Sequence, residues 1–410
     1  PNGRAHCLVL QHGIRTARGL ATLALICALA MRPPCAASRE RTVTIGIFVG
    51  RGLKSIQVTS PGAQLVSSAT AGSRAMASRS WRFEAAGDRV RVSTGSEART
   101  AGGFTIRPND ASTTMRIAGG GLEAATYRGS LAVRAHGGRL LLINWVLLED
   151  YLRSVVPLEL SADAAEAALR AQAVAARSYA VAAGDRHPGM PYDFCEGTHC
   201  QLYLGTRAES PRTDAAVRAT KGQVLTHGGK AVEAPFHSCC GGATSAVEDV
   251  WRGGNPVPYL TGRSDIGPNG AYCRRSPSFR WHFSVGAPEL LRAFRTSRTA
   301  DPGGRLQSVR VLKRDAAGRA TSVEIVGASR VTVSGNELRR LLNRTLGGDR
   351  MKSTRFAVGR QGDRYVFEGT GHGHGVGMCH WGAMARAEAG ETYEQILQHY
   401  YSGVTLGKLP

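Results

Sequence analysis

The residues best suited to chemistry lie near the C-terminus, where glycine alternates with histidine and other residues in GTGHGHGVGMCHWGA (369–383). Glycine costs backbone entropy, so such a run indicates a main chain that passes close to another group or adopts positive φ. Histidines held on that backbone can transfer protons, bind a metal or hydrogen-bond to a sugar. A flexible linker would carry serine instead of histidine and tryptophan. The alternative is a tight glycine bend that packs a helix on a sheet, with incidental histidines.

A second group with metal-binding chemistry consists of His187, Cys195, His199 and Cys200. These ligands lie at short spacing in a loop rich in proline and glycine, which is typical of zinc sites. A closed set of nitrogen and sulfur ligands leaves no position for a hydrolytic water, so such a zinc would be structural. Cys195 and Cys200 are also close enough in sequence to form a disulfide, and both possibilities remain open.

Four further cysteines follow, at positions 239, 240, 273 and 379. Outside the cytoplasm an even number of cysteines permits disulfides. Cys239 or Cys240 could reach Cys273, but the sequence does not define the connectivity.

The elements that must position these residues change in character along the chain. Residues 38–140 contain short alternating segments separated by glycine and serine, which predicts a β-rich N-terminal region. A mixed α/β core follows over 141–410, with an inserted α/β lobe over 276–360. The pattern therefore predicts an α+β fold.

Two helices are predicted at the start of this core. Apolar periodicity over 147–156 predicts a helix that ends near Pro157. An alanine-rich helix is predicted over 164–183, with Asp163 as N-cap and Glu166 completing a capping box.

The charge of the chain is strongly basic and comes from arginine. The formal net charge is +21, and only six of the 52 basic residues are lysine. The arginines are scattered instead of forming a block, which argues against a nucleic-acid-binding tail and suits diffuse attraction to an anionic surface. Because no arginine-rich patch is interleaved with aromatic residues, we expect no nucleic-acid partner.

The N-terminus has the layout of a secretory signal. Arg15 and Arg18 precede an apolar run over 19–31, and small residues follow. The run is shorter than the ~20 residues of a membrane span. We therefore expect residues 1–37 to be a signal peptide, the protein to be exported to the periplasm, cell envelope or exterior, and no membrane span to remain after cleavage.

Four stretches in this order resemble the SpoIID/LytB family of cell-wall proteins: LEDYLRSVVPLEL (148–160), ALRAQAVAARSYA (168–180), FHSCCGGATSAVEDVW (236–251) and GHGHGVGMCHWGAMA (371–385). The resemblance covers roughly residues 127–405. The chain departs from the family pattern at His372, where tryptophan is frequent, and at Cys379-His380, where Ser-Gln is usual.

The resemblance implies a lytic transglycosylase acting on the glycan strands of peptidoglycan. Such enzymes cleave the MurNAc–GlcNAc β-1,4 bond without water and leave a 1,6-anhydro-MurNAc end. The catalytic acid of the family falls on Glu159. A hydrolase uses two carboxylates, whereas here one carboxyl protonates the leaving oxygen and then accepts a proton from the sugar's 6-hydroxyl. Glu149 and Asp150 are candidates for a second carboxylate, at the far end of the preceding helix.

The pKa of Glu159 is subject to opposing influences. Just ahead of a helix N-terminus, the helix dipole would favour the ionised carboxylate. Burial among Val155, Val156 and neighbouring leucines would raise the pKa, as a general acid requires.

The same resemblance suggests the residues that line the sugar groove. Two arginines would bind sugar or hold Glu159, two motif residues and two histidines would line the groove, and a tryptophan would stack on a sugar or belong to the core: Arg170, Arg177, His237, Ser238, His372, His374 and Trp381. Family members carry zinc near the loop of Cys195, which adds support to that site.

Two other functions compete with the transglycosylase. Members of the LytB type are enhancers of a cell-wall amidase, which would make the chain a non-catalytic wall-binding partner of an N-acetylmuramoyl-L-alanine amidase. A zinc hydrolase is disfavoured because the sequence contains no HExxH motif.

Overall fold

The computed structural model describes residues 40–67, 78–95, 97–251 and 255–409. The predicted signal segment, residues 1–37, lies outside the described residues. The described part combines many short strands with helices, which confirms the predicted α+β class. Within these ranges, no helix has both the length and the apolar character needed to cross a bilayer.

Short strands fill the first part of the described chain, up to residue 147. They are β1 (Thr42–Ile47), β2 (Ser55–Thr59), β3 (Ala63–Ser67), β4 (Ser80–Ala86), β5 (Arg89–Ser93), β6 (Ala98–Ala101), β7 (Gly103–Pro108), β8 (Met115–Gly119), β9 (Leu122–Tyr127), β10 (Ser130–His136) and β11 (Arg139–Leu147). In β5, buried valines alternate with exposed arginines, the period of two that a half-buried strand requires. One sheet has the order β6-β5-β4-β2-β8-β9. A second sheet contains the consecutive strands β1-β11-β10-β7-β3.

Helix α1 (Leu148–Glu159) follows β11 without a loop and continues through Pro157. The predicted helix end near Pro157 is therefore wrong by two residues. Proline lacks an N–H, but near the helix end this removes a single hydrogen bond, and the backbone N–H of Leu160 still donates to the carbonyl of Val156 at 3.0 Å. This extension makes Glu159 the last residue of α1.

Helix α2 (Glu166–Ala182) begins two residues later than predicted and lacks the predicted capping box. Its N-cap is Ala165, which offers no capping side chain. The N–H of Ala164 donates to the carbonyl of Ser161, so Asp163 belongs to a turn, and its side chain is 98% exposed. Helix α2 is buried on all sides from Ala171 to Ala180, because its small side chains allow close approach to α1 and to its other neighbours.

The strands before residue 147 share one hydrophobic core with α1 and α2. This core extends from Val43 in β1 through Tyr179 in α2 to Val217, and it includes Trp81 and Phe83, which are fully buried. The packing therefore has no break at residue 140, where the sequence suggested a domain boundary.

The remaining elements complete the fold in chain order. They are β12 (Phe194–Cys195), α3 (Pro211–Ala219), β13 (Gln223–His227), β14 (Lys230–Ala231), β15 (Phe236–His237), α4 (Val247–Val250), β16 (Ile266–Gly267), β17 (Gly270–Ala271), β18 (Arg280–Gly286), α5 (Ala287–Arg295), β19 (Ser308–Arg314), β20 (Ala320–Val326), β21 (Arg330–Val333), α6 (Gly335–Leu346), β22 (Phe356–Gln361), β23 (Arg364–Thr370), β24 (Met378–Cys379), α7 (His380–Glu388), α8 (Tyr393–Tyr400) and β25 (Thr405–Lys408).

Residues 280–370 form a lobe with a hydrophobic core of its own. Its two three-stranded sheets, β18-β23-β22 and β19-β20-β21, pack with α5 and α6. Helix α6 begins with a capping box between Ser334 and Glu337. The closing strand β23 runs to Thr370, beyond the predicted lobe boundary at residue 360.

The glycine run returns from this lobe to the core and joins it through β24. Strand β24 pairs in parallel with β15, which aligns His237 with Cys379. At Gly377 the φ angle is +69°, and a Cβ atom would lie 2.0 Å from the carbonyl oxygen of Pro235. This position therefore needs glycine both for its backbone conformation and for its close contact.

Candidate functional site

Glu159 lies at the C-terminal end of α1, where two cavities meet. The α7 cavity, about 320 Å³, is lined by residues that include Ser161, Ser238, Tyr272, His380 and Trp381. The loop cavity, about 590 Å³, is lined by residues that include Cys200, Leu202, Phe236, Trp251 and His374. Because Glu159 contributes to both, its carboxyl group is positioned to contact a ligand that extends into the two cavities.

The environment of Glu159 favours the protonated carboxyl group. Burial raises its pKa to about 7, against an opposing hydrogen bond from the backbone N–H of Leu202 to Oε1 at 3.5 Å. The expectation that the dipole of a helix N-terminus lowers the pKa of Glu159 is wrong, because Glu159 ends α1 and α2 starts only at Glu166. At a helix C-terminus the dipole disfavours a negative charge and so acts in the same direction as burial.

The two acidic residues at the start of α1 are engaged elsewhere. Glu149 accepts two hydrogen bonds from Arg177, at 2.9 and 2.7 Å. Asp150 pairs with Arg153 at 3.4 Å. Neither carboxylate is among the residues that line the two cavities, so neither is placed to act with Glu159.

The two predicted arginine ligands do not reach the cavities. The Arg177 side chain is fully buried, and its guanidinium is held by Glu149 and by backbone carbonyls that include Val217. Arg170 pairs with Glu166 one turn earlier on α2. These partners make Arg177 a buried structural cation, which corrects the expectation that it binds sugar or holds Glu159, whereas sugar binding by the partly exposed Arg170 stays a prediction.

The motif residues His237 and Ser238 have different surroundings. His237 is buried, donates from Nδ1 to the carbonyl of Val376 at 3.2 Å, and lines neither cavity. Ser238 lines the α7 cavity, and its carbonyl accepts from the N–H of Trp381 at 3.1 Å. Of this predicted pair, only Ser238 can contact a ligand there.

The two predicted histidines of the glycine run also differ. His372 binds Asp349 of the lobe, Nε2 to Oδ2 at 2.6 Å, and lines neither cavity. His374 lines the loop cavity; its Nδ1 accepts from the N–H of Val376, so Nε2 donates to the carbonyl of Phe236 at 2.8 Å. Burial lowers the pKa of His374 to about 4. The ring is therefore neutral near pH 7 and positions a wall of the cavity.

Aromatic side chains lie in both cavities. Trp381 is half-buried in the α7 cavity, as a sugar-stacking residue would be. Sequence reasoning missed Trp251, which is 41% exposed in the loop cavity with its ring centroid 5.2 Å from that of His374. Its position at the end of the FHSCCGGATSAVEDVW stretch was a usable signal. Flat aromatic faces at exposed positions suit stacking on sugar rings.

His380, which stands where glutamine is usual in the family, is a further residue that sequence reasoning did not assign. It lines the α7 cavity and packs on Phe236, with ring centroids 5.3 Å apart. Burial lowers its pKa to about 3, and Nε2 has no hydrogen-bond partner among the described residues. A buried polar atom beside a cavity is suited to a ligand hydrogen bond.

The four predicted metal ligands, His187, Cys195, His199 and Cys200, come together beside the loop cavity. Cys200 Sγ lies 3.6 Å from Cys195 Sγ, and 3.4 Å from both His187 Nε2 and His199 Nδ1. A tetrahedral zinc with Zn–S of about 2.3 Å and Zn–N of about 2.0–2.1 Å separates its ligands by about 3.3–3.8 Å. The donor set therefore fits zinc, and the adjacent His199 and Cys200 both reach the cluster. The two sulfurs are not bonded to each other.

Comparisons with known proteins match two segments of the chain to families and the greater part of the chain to relatives. A family described as Stage II sporulation protein matches residues 136–227, and a domain of unknown function matches residues 267–377. The chain is 30% identical over 287 residues to an uncharacterized protein of Brachyspira hyodysenteriae, which covers 70% of this chain and 73% of that protein.

Two relatives with descriptive names also match. The identity with the amidase enhancer of Bacillus subtilis is 29% over 352 residues, which covers 73% of this chain and 46% of the enhancer. With stage II sporulation protein D of the same organism it is 26% over 276 residues, covering 64% of this chain and 74% of that protein. The stage II sporulation match at residues 136–227 contains Glu159, α2 and the four-ligand loop.

Proposed function

The chain belongs to the SpoIID/LytB family of cell-wall proteins, and we propose that it is a peptidoglycan lytic transglycosylase with Glu159 as its acid and base. The observation that carries the proposal is the position of one buried carboxyl group, with a pKa near 7, where two cavities meet. A glycan strand lying across both cavities would present a glycosidic oxygen to Glu159. The names of the amidase enhancer and sporulation protein D relatives support an action at the cell envelope.

In the proposed reaction Glu159 alone transfers the protons. Its protonated carboxyl donates to the oxygen of the MurNAc–GlcNAc bond as the C1–O bond breaks, which leaves positive charge on the MurNAc ring. The resulting carboxylate accepts the proton of the MurNAc 6-hydroxyl, and O6 bonds to C1 to close the 1,6-anhydro ring. No water is consumed, and a pKa near 7 suits a group that gives and takes a proton in one cycle.

The side chains around Glu159 would bind and orient the strand. Trp381 in the α7 cavity and Trp251 in the loop cavity provide aromatic faces on either side of the carboxyl group. Ser238 and His380 add polar atoms in the α7 cavity. The excess of arginine over acidic residues favours approach to an anionic wall polymer.

A structural zinc held by His187, Cys195, His199 and Cys200 is part of the proposal. The four ligands would complete its coordination, so the metal would supply conformational stability and no chemistry to the substrate. The segment from Cys195 to Leu202 would then be fixed, and with it the N–H that contacts Glu159. Metal analysis of the C195S/C200S variant tests this: loss of one zinc per chain supports the site, whereas a Cys195–Cys200 disulfide in wild type contradicts it.

The experiment that tests the activity is a digest of purified peptidoglycan, intact and peptide-stripped, with wild type and Glu159→Gln, read by mass spectrometry. Anhydro-MurNAc products from wild type alone support the proposal, and E123Q, which changes an exposed carboxylate that lines neither cavity, serves as control. Reducing ends formed with added water would indicate a hydrolase instead.

A second candidate function is favoured by the match to the amidase enhancer, which extends over 73% of this chain. In this alternative the protein binds the wall and stimulates an N-acetylmuramoyl-L-alanine amidase without cleaving glycan. Equal stimulation of a purified amidase of that class by wild type and E159Q, with no anhydro product from either, would support the enhancer and overturn the transglycosylase.

A further inference from the structure

A second set of buried sulfur ligands lies in the core below the α7 cavity, formed by Cys240, Cys273, Cys379 and the carboxylate of Asp265. The four residues come from separate segments: the turn after β15, the 3-10 helix over Tyr272–Arg275, the end of β24 and the strand edge before β16. All four are fully buried. One ligand atom from each lies within 4.8 Å of every other. Long-range folding has therefore brought three thiols and a carboxylate to one point.

The spacing of these atoms suits a tetrahedral metal ion. Cys240 Sγ lies 3.5 Å from Cys273 Sγ and 3.2 Å from Asp265 Oδ2. An ion bound at about 2.3 Å by sulfur and about 2.0–2.2 Å by oxygen holds such ligands about 3.5–3.8 Å apart. The first pair lies at the lower end of that range and the second about 0.3 Å inside it, so a small adjustment of the side chains around the ion is enough to reach that geometry. The cysteines are unbonded in the structure.

Backbone N–H groups point at the sulfurs of this cluster. Cys379 Sγ accepts from the N–H of Cys240 at 3.1 Å and from that of Gly382 at 3.3 Å. Cys240 Sγ accepts from the N–H of Gly242 at 3.3 Å. A thiolate is a far better acceptor than a thiol, and Cys379 also caps the positive end of α7. These N–H groups are placed to donate to the sulfurs of metal-bound thiolates.

The carboxylate of Asp265 is oriented as a ligating carboxylate would be. Its Oδ1 accepts from Arg386 Nε and Nη2, both at 3.1 Å, and from the hydroxyl of Tyr400 at 3.0 Å. Oδ2 accepts from the same hydroxyl at 3.0 Å and faces Cys240 Sγ at 3.2 Å. Metal-binding carboxylates are commonly held by such outer hydrogen bonds. The fit is close, since a Cβ at Gly382 would lie 2.3 Å from Oδ2.

The surrounding charges would balance a site of this kind. Three thiolates and a carboxylate around a divalent ion carry an excess of negative charge. Arg386 lies against Asp265, with its guanidinium 4.2 Å from the ring centroid of Tyr272. Arg319 is fully buried and donates to the carbonyl of Cys240 at 2.8 Å. Buried cations close to the ligands offset that excess.

We propose that Cys240, Cys273, Cys379 and Asp265 bind a structural zinc ion, separate from the one assigned to the His187 loop. Three of its ligands adjoin residues that line the α7 cavity, because Tyr272 precedes Cys273, His380 follows Cys379 and Ser238 lies two residues before Cys240. The ion fastens these three segments together and fixes the wall of that cavity. This inference does not depend on the proposed reaction, since it concerns the metal content of the folded chain.

The fourth ligand requires a choice between Asp265 and Cys239. The thiol of Cys239 contacts those of Cys273 and Cys379 but lies outside the set of mutually close ligand atoms. We therefore assign the fourth position to Asp265 Oδ2. The variant C239S provides the matched control, since it changes a neighbouring, equally buried cysteine.

The test is metal analysis of the full chain by native mass spectrometry and elemental analysis. The C195S/C200S variant, which lacks the loop site, is expected to retain one zinc per chain, and the further change C240S/C273S to remove it. Cobalt added to metal-free C195S/C200S protein is expected to give sulfur-to-metal charge-transfer absorption. Zinc-free C195S/C200S protein without such absorption would overturn the proposal, as would a Cys240–Cys273 disulfide in non-reducing peptide maps of wild type.

The ligand assignment is tested by zinc competition with a chromogenic chelator. D265N in the C195S/C200S background is expected to weaken zinc binding by 10-fold or more, whereas C239S leaves it unchanged. The reverse order would overturn the assignment of Asp265. Wild-type native mass spectra, which need no variant to fold, provide the stoichiometry: two zinc ions per chain support both sites together, and none contradicts this one.

Discussion

The backbone N–H of Leu202 points at Oε1 of Glu159 across 3.5 Å, so the loop that carries Cys195 and Cys200 also contacts the proposed catalytic acid. The N–H favours the carboxylate, whereas burial favours the protonated form and is the larger influence. The resulting pKa of about 7 lets one group act first as acid and then as base near neutral pH. This link explains how a structural metal could affect catalysis without touching substrate.

The pKa of Glu159 predicts the pH dependence of the reaction. Because the first step needs the protonated carboxyl group, the rate at low substrate is expected to fall as pH rises above about 7, approaching tenfold per pH unit. His374 and His380 stay neutral in this range, since burial lowers their pKa values to about 4 and about 3. Initial rates of anhydro-product formation measure this. A rate that rises to a plateau above pH 7 would exclude Glu159 as the acid.

Glu159→Gln is expected to change the pH dependence of stability. The pKa in the folded protein lies above the ordinary value of 4.5, so the folded state binds more protons than the unfolded chain between about pH 4.5 and 7. Wild-type stability therefore declines as pH rises through this window, and the glutamine variant escapes that decline.

Urea unfolding at about pH 4 and pH 8 measures this effect. Between the two, the stability of E159Q relative to wild type is expected to rise by roughly 1–3 kcal/mol. D163N, which changes a 98% exposed carboxylate, is expected to follow the wild-type curve. Parallel curves for E159Q and wild type would show that Glu159 has no raised pKa.

The Arg177–Glu149 pair predicts a stability defect with little direct effect on chemistry. Replacing Arg177 by methionine leaves Glu149 without its partner and is expected to cost about 3–5 kcal/mol in the free energy of unfolding. R170A, which removes an exposed pair on the same helix, is expected to cost under about 1 kcal/mol. Unfolding curves and digestion rates of the folded fraction distinguish the two. Loss of activity in fully folded R177M protein would place Arg177 in the site after all.

The tryptophans beside Glu159 predict two separate sugar-binding regions. W251A and W381A are each expected to weaken binding to peptide-stripped glycan roughly 3- to 10-fold, since each removes one stacking face of about 1 kcal/mol. Trp145 is 48% exposed but lines neither cavity, so W145A is the matched control. Sedimentation with insoluble glycan measures the affinity. Equal binding of glycan by all three variants would contradict sugar stacking on Trp251 and Trp381.

In the glycine run, the stability lost on replacing a glycine by alanine is expected to depend strongly on how closely other backbone atoms approach that position. G377A is expected to lose roughly 2–5 kcal/mol of stability, because its Cβ would collide with the carbonyl of Pro235 at a positive φ angle. Gly390 also has positive φ but has no atom within 4 Å of the Cβ position, so G390A is expected to cost only about 1 kcal/mol. Thermal unfolding of both variants measures the stability that each loses. Similar losses for G377A and G390A would contradict a role for the close contact at Gly377.

Local patterns predicted elements better than their boundaries. Alternation in β5 and the apolar periodicity of α1 were readable because a single face of each element is buried. Helix α2 was readable from its run of alanines. The end of α1 could not be predicted, since the energetic cost of Pro157 in a helix depends on its distance from the helix terminus. Asp163 had the chemistry of an N-cap but lies in a turn formed by neighbouring backbone groups.

The position of a site residue was predictable where a local motif fixes the backbone. It was not predictable where contacts with residues distant in sequence determine what the side chain binds. The His187 cluster assembles from ligands within one loop. Arg177 and His372 have side chains suited to sugar binding, but Glu149 and Asp349 occupy them, and both partners lie far away in sequence. The convergence of Asp265 with three cysteines likewise depends on folding of distant segments.

The most direct test of the central claim is digestion of peptide-stripped glycan strands in H₂¹⁸O, with products of wild type and E159Q analysed by mass spectrometry. The proposed reaction predicts 1,6-anhydro-MurNAc ends without ¹⁸O from wild type and no cleavage by E159Q. Incorporation of ¹⁸O into new reducing ends, or anhydro products from E159Q at the wild-type rate, would contradict the assignment of Glu159 as the acid and base of a lytic transglycosylase.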